Sequence, residues 1–144
     1  MNRIKVAAGI ILKSAILKPV TSNKSSEQIQ QILIAKRPNN KHQGGLWEFP
    51  GGKIETDESP QQALERELRE EINISVLKSD FFEQIDFDYS DKKVSLLFFL
   101  VTEFSGEPKG NEGQEVRWAD VSDLNQYEFP LANQEIVESL QAHI

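Results

Sequence analysis

Three glutamates, Glu67, Glu70 and Glu71, stand at i, i+3 and i+4 in the segment Arg66-Glu67-Leu68-Arg69-Glu70-Glu71. On a helix this spacing turns their carboxylates to one side, next to the apolar residues of the same segment. Like charges crowded on one turn repel unless cations neutralise them, and hard carboxylate oxygens select magnesium, manganese or calcium over softer metals. The alternative is a solvated acidic face balanced by Arg66 and Arg69. Upstream, Trp47-Glu48-Phe49-Pro50-Gly51-Gly52-Lys53-Ile54-Glu55 carries paired glycines. They let the backbone turn sharply and present carbonyl and N–H groups to a ligand with no side chain between. The chain has no cysteine and two histidines, so thiolate metal sites, disulfides and cysteine nucleophiles are excluded. Any metal must be held by oxygen or by a histidine.

The elements that must position these residues are marked in the sequence. Ser59 suits an N-cap, Pro60 the first helical position, and Gln62 completes a Ser-x-x-Gln capping box. Leu64, Leu68 and Ile72 repeat at i, i+4 and i+8, and Asn73 suits a left-handed C-terminal turn, so a helix is predicted from residue 59 to about Ile72. Val6-Ala7-Ala8-Gly9-Ile10-Ile11-Leu12 and Ile32-Leu33-Ile34-Ala35 read as strands joined by a long, mobile polar excursion at residues 13–30. Phe81 to Tyr89 alternates apolar and polar residues while Val94 to Phe104 is nearly continuously apolar, the pattern of an outer and an inner strand of one sheet. Ser90-Asp91-Lys92-Lys93 is the turn between them. A short strand at Val116 to Ala119 and a closing helix from about Asn133 to Ala142 complete an α/β layered domain.

The 144 residues and 16.4 kDa fit a single domain spanning 1–144. Hydrophobic residues at 38% and charged residues at 27% are ordinary for a globular chain with one core. No apolar run is long enough to cross a bilayer and the start lacks the apolar stretch of a secretory signal, which makes no membrane and a cytoplasmic location the expectation. The net charge of -7 argues against a nucleic-acid polymer as partner. Its distribution is uneven: residues 1–47 carry eight basic residues and one acid, whereas residues 48–91 carry four and thirteen. Such a pairing suits an anionic substrate that arrives with divalent cations; a solvated charged surface is the plainer reading.

The spacing narrows the choice. Gly52, five residues, Glu58, seven residues and then Arg66-Glu67-Leu68-Arg69-Glu70-Glu71-Ile72-Asn73-Ile74 resembles the signature of the Nudix hydrolases at eight of nine specified positions. Asn73 stands where that family has Gly, and Asn is the side chain that best tolerates the left-handed turn. The resemblance implies a three-layer α/β/α Nudix sandwich around a mixed sheet. It also implies Mg2+, with Mn2+ able to substitute, on Glu67, Glu70 and Glu71 and on the carbonyl of Gly51, with Arg66 orienting the carboxylates.

Four further stretches extend the similarity to most of the chain and to the MutT branch, which hydrolyses oxidised guanine nucleotides. They are Val6 to Ile11; Lys36-Arg37 with His42 and the 47–55 segment; Gly106-Glu107-Pro108 with Gly110-Asn111-Glu112-Gly113-Gln114; and Phe129-Pro130-Leu131-Ala132-Asn133. By that resemblance Arg37 and His42 contact the nucleotide, Glu48, Phe49, Pro50 and Gly51 line its site, and Asn133 reads the purine edge. Glu112, in a mobile glycine-flanked loop, delivers a late carboxylate. The implied reaction is hydrolysis of 8-oxo-dGTP to 8-oxo-dGMP and pyrophosphate by attack on the β-phosphorus, cleansing the nucleotide pool and suppressing mutation, in a monomer. Glu67 is the preferred base and Glu112 its rival. Other readings stay open: Asn133 as a helix cap, Arg37 in a surface salt bridge, His42 as a bystander, Glu112 as a plain exposed acid, and Trp47, Phe49 and Trp118 as either base pocket or core. A cytidine nucleotide or a nucleoside diphosphate sugar as substrate, or a catalytically silent nucleotide sensor, are the competing functions.

Overall fold

The apolar residues near the start of the chain alternate between two faces, and that alternation sets the layers. In a computed structural model, which describes residues 3–16, 28–38 and 45–143, β1 (Arg3–Ile16) is the middle strand of a mixed seven-stranded sheet. It runs parallel to β6 (Lys93–Ser105), from Arg3 opposite Lys93 to Ile11 opposite Val101. Its other edge is shared, first by β4 (Gly51–Lys53) at Val6 to Ala8 and then by β2 (Gln28–Lys36) from Leu12 onward, both antiparallel. β2 carries β3 (Trp47–Glu48) and β7 (Val116–Asp120), and β5 (Ser75–Asp88) lies antiparallel to β6 at the far edge. The order is β3-β2-β1-β6-β5, with β5 the outer and β6 the inner strand as their patterns require.

One face of the sheet, with Ala7, Ile11, Leu33, Phe99 and Val101, packs under α1 (Pro60–Ile72) through Leu64, Leu68 and Ile72. All three stripe residues are wholly buried, each contributing about 1.5–3 kcal/mol. Gly9 faces the same helix, where a Cβ would lie 3.1 Å from Leu68 Cδ1; the missing side chain lets α1 settle close to β1. The opposite face, with Ala8, Ile10, Ile32, Ile34 and Phe98, packs against α2 (Leu131–His143) through Ile136, Val137 and Leu140. The result is an α/β/α sandwich.

Both ends of α1 are as the sequence requires. The Gln62 N–H donates to Ser59 Oγ (3.1 Å) and the Ser59 N–H to Gln62 Oε1 (2.9 Å), while Asn73 adopts φ 63° and ψ 31°. Other boundaries differ. β5 begins at Ser75 rather than Phe81, continuing through bulges near Val76–Lys78 and Phe81–Glu83 that disturb its alternation. α2 begins at Leu131, so Asn133 is inside its first turn, its N–H bonded to the Pro130 carbonyl, and does not cap it. Residues 17–27, most of the polar excursion, and 39–44, including His42, lie outside the described residues. Among the described residues no helix is long and apolar enough to cross a membrane.

The left-handed turn at Asn73 sets a stability test. Asn73→Gly should keep stability close to that of the parent, whereas Asn73→Ala should lower it by about 1–2 kcal/mol, the cost of αL for a Cβ-bearing residue with no polar compensation. Urea unfolding of both variants measures this, and equal losses would remove the backbone conformation as the reason for Asn at this position.

Candidate active site

β4 stands where α1 meets a cleft on the other side of the sheet, and its two glycines take part in both contacts. The Gly51 N–H donates to Glu71 Oε2 at 3.1 Å. A Cβ on Gly52 would sit 2.3 Å from the Glu67 carboxyl carbon, and one on Gly51 would sit 2.0 Å from the Ala7 carbonyl oxygen. The carboxylates of α1 are therefore pressed on a glycine backbone that no other residue could replace without displacement.

Arg66 gathers the acids on its side of the helix. Its guanidinium donates to Glu58 at 2.6 and 2.9 Å, to Glu67 at 2.8 Å and to the Lys53 carbonyl at 3.1 Å, with Glu70 at 3.5 Å. These bonds hold the Glu58 carboxyl down at about 2 and raise Arg66 well above its ordinary value. Glu71 has no such partner: burial first, then the negative charges of Glu48, Glu67 and Glu112, push it up to about 8, against the lowering by the Gly51 N–H. The Glu67 and Glu71 carboxylates lie against the adjacent Gly52 and Gly51, and Glu70 is largely exposed. Among the described residues no group of three His, Asp or Glu side chains is close enough to grip one ion. Arg66 bonds Glu67 and reaches the largely exposed Glu70, while Glu71 turns to Gly51. The donor set nevertheless fits a hard divalent cation, because an excess of carboxylate charge surrounds a buried carboxyl and all the donors are oxygen.

The cleft, of about 250 Å³, is walled by Val6, Ala8, Phe49 and Leu96 and rimmed by Arg37, Lys53 and Lys92. Arg37 pairs with Glu48 at the cleft, so the salt-bridge reading of that residue holds. Burial raises Glu48, Arg37 partly offsetting it, and burial lowers Lys92 with help from the positive charge of Arg37. Phe49 stacks on Phe129 at 5.2 Å between ring centres, and the Pro50 carbonyl accepts from the Gly9 N–H at 2.8 Å, outside the cleft wall. Asn133 is 9% exposed, lines the cleft, and its amide has no hydrogen-bond partner among the described residues. Trp47 and Trp118 do not line it: Trp47 packs edge-on to Tyr127, and Trp118 stacks on Phe104 on the α1 face.

Glu112 lies apart from the cleft wall, exposed in a recess with Lys36, Arg37 and Pro38, although its charge is felt at Glu71. Sequence reasoning missed Tyr89 and Lys92, which reach the cleft from the β5–β6 turn; the Tyr89 hydroxyl accepts from the Ala132 N–H at 3.1 Å and fixes the start of α2 beside Asn133. The turn at 90–93 was legible, but only the β1–β6 register brings it over β4.

An α/β/α sandwich whose glycine strand carries carboxylates on one side and a cleft on the other defines the Nudix class of fold. The chain belongs to the NUDIX domain family, whose model matches residues 25–139. It is 36% identical over 141 residues to the 8-oxo-dGTP diphosphatase of Escherichia coli K12, covering 98% of both chains. It is also 36% identical over 116 residues to the CTP pyrophosphohydrolase of the same organism, covering 81% of this chain and 86% of the relative. A solved structure from work on MutT of Aliivibrio salmonicida and Vibrio cholerae superposes with a TM-score of 0.78 at 43% identity, covering 99% of this chain and 100% of the other. Nudix hydrolases depend on divalent metals.

The two glycines should separate structure from chemistry. Gly51→Ala forces a Cβ into a backbone carbonyl and should cost about 1–3 kcal/mol of stability. Gly52→Ala meets only the end of a flexible side chain; stability should stay within about 1 kcal/mol, while turnover falls about a hundredfold as Glu67 is displaced. Melting curves and nucleotide turnover on the same preparations check both; a fully active Gly52→Ala would detach Glu67 from the chemistry.

Proposed function

We propose that the chain hydrolyses 8-oxo-dGTP to 8-oxo-dGMP and pyrophosphate as a single-domain cytoplasmic monomer, removing an oxidised precursor before it enters DNA. The observation that carries the substrate is the buried amide of Asn133, which lines the cleft and has no hydrogen-bond partner among the described residues. Oxidation at C8 puts a proton on N7 where guanine has an acceptor. The Asn133 carbonyl can then accept from N7–H while its NH2 donates to O6. Ordinary guanine leaves the Asn133 carbonyl facing an acceptor, and an unmatched polar group in a closed pocket can discriminate by about ten-thousandfold.

In this reading Glu67, Glu70, Glu71, Glu112 and the Gly51 carbonyl hold magnesium, or manganese in its place, which supplies shielding of the polyphosphate and acidification of water. The chain's own residues do the rest. Arg66 orients Glu67, and Glu67 takes the proton from the attacking water, with Glu112 as the second carboxylate. Arg37, held by Glu48, contacts the nucleotide, and Phe49 and Gly51 shape its seat; the resemblance alone adds His42 and Pro50 to the residues that bind it. Attack is on the β-phosphorus, the bond from that phosphorus to the α–β bridging oxygen breaks, 8-oxo-dGMP departs as the leaving group, and the water oxygen ends in pyrophosphate.

The second reading, a cytidine nucleotide, is supported by the similarity to a CTP pyrophosphohydrolase. A turnover panel of 8-oxo-dGTP, dGTP and CTP, with magnesium and with an EDTA control, separates the two. Asn133→Ala should lower kcat/KM for 8-oxo-dGTP by about 2–4 kcal/mol in transition-state terms, on the order of a hundredfold, with a much smaller effect on dGTP. Equal losses on both substrates would leave a Nudix hydrolase whose base is read elsewhere.

A further inference from the structure

The last four carbonyls of any helix lack intrahelical partners, and those of α1 belong to the turn that carries Glu70 and Glu71. Here they are met by the connection between β6 and β7. The Lys109 N–H donates to the Ile72 carbonyl at 3.1 Å and the Asn111 N–H to that of Glu71 at 2.9 Å. Asn111 Nδ2 adds bonds to the carbonyls of Glu70 (2.9 Å) and Arg69 (3.4 Å). The loop that sequence reasoning took as mobile is therefore stapled to the helix.

One side chain does more than cap. Gln114 Nε2 donates to the Glu71 carbonyl at 3.2 Å, and Gln114 Oε1 accepts the Glu112 N–H at 2.9 Å. A single amide thus joins the backbone of Glu112 to the backbone of Glu71, residues far apart in sequence. Gly110 and Gly113 make the tight turn that returns the amide to Glu112: the Gly113 N–H bonds to the Gly110 carbonyl at 3.1 Å, Gly113 has φ +82°, and a Cβ on Gly110 would lie 2.0 Å from the Gln114 carbonyl oxygen.

We propose that Gln114, supported by Asn111, is a positioning residue that holds Glu112 in register with Glu71. The role rests on the reading of Glu112 as a carboxylate of the active site. Gln114 touches neither substrate nor metal; it sets where a carboxylate from one loop stands relative to one from α1, and so removes the entropy of finding that arrangement in each turnover.

The test is a double-mutant cycle on kcat with an exchange measurement on the metal-free protein. Gln114→Ala should speed hydrogen exchange at the Glu112 amide about tenfold or more while the amides of Leu64 and Leu68 keep their protection. It should lower kcat about tenfold with KM within about twofold. Added to Glu112→Gln it should cost nothing further, because both act through one group. Gln114→Glu keeps the shape and the acceptor for the Glu112 N–H but loses the donor to Glu71, and should lower kcat in the same way should the Ala variant fold poorly. Losses that multiply, or unchanged exchange and kcat, overturn the proposal alone. A fully active Glu112→Gln overturns the reading of Glu112 and the proposal with it.

Discussion

The structure depends on a carboxyl that is costly to ionise. Glu71 is pressed on the backbone of β4, largely removed from water and surrounded by the charges of Glu48, Glu67 and Glu112, with the Gly51 N–H as the hydrogen-bond partner of its carboxyl among the described residues. Left to itself such a group would swing outward. It stays because α1 cannot rotate: Leu64, Leu68 and Ile72 lock one face of the helix on the sheet, a capping box holds its start, and the β6–β7 loop and Asn73 hold its end. Hydrophobic burial and hydrogen bonds around the helix offset the repulsion on it, and the repulsion is what makes the site receptive to a hard cation.

The same geometry divides the site electrically. Carboxylates stand on the α1 side of the Gly51-Gly52 backbone, while Arg37, Lys53 and Lys92 rim the cleft on the α2 side. A polyphosphate that carries cations at one end and a base at the other matches that polarity, whereas an acidic chain surface alone would repel it. Glu48 belongs to both regions, lining the cleft in its pair with Arg37 and adding to the charge at Glu71. The cleft and the carboxylate cluster are thus linked electrostatically through a short strand segment.

Much of this was legible because it is local. The capping box, the apolar stripe and the left-handed Asn73 follow from residues within one helix, and the spacing from Gly52 to Ile74 carries the family signature on its own. What depended on tertiary geometry was not. The bonds from Arg66 to Glu58 and to the Lys53 carbonyl were not, because that reach is set by how α1 lies along β4. The alternative reading of Asn133 as a cap gave way because the helix starts earlier, where Tyr89, from a distant hairpin, receives the Ala132 N–H. Trp47 and Trp118 offered as good a base pocket as Phe49 by composition, and only the strand register directs Phe49 alone of the three to the cleft. The stapling of residues 109–114 to α1 joins groups some forty positions apart, for which no periodicity in the chain gives a signal.

The central claim is that ionising Glu71 destabilises the metal-free protein and that a divalent cation relieves this. The direct measurement is the melting temperature between pH 5 and 8.5, with and without magnesium, for the parent and for Glu71→Gln. Because folding raises the Glu71 pKa to about 8, its neutral form favours the folded state fully below its ordinary value of 4.5, and that contribution is lost as pH rises through about 8. The metal-free parent should therefore lose stability across this range relative to Glu71→Gln, and magnesium should restore the parent while leaving the variant nearly unmoved. Parallel curves for the two proteins, or equal stabilisation of both by magnesium, would contradict the account.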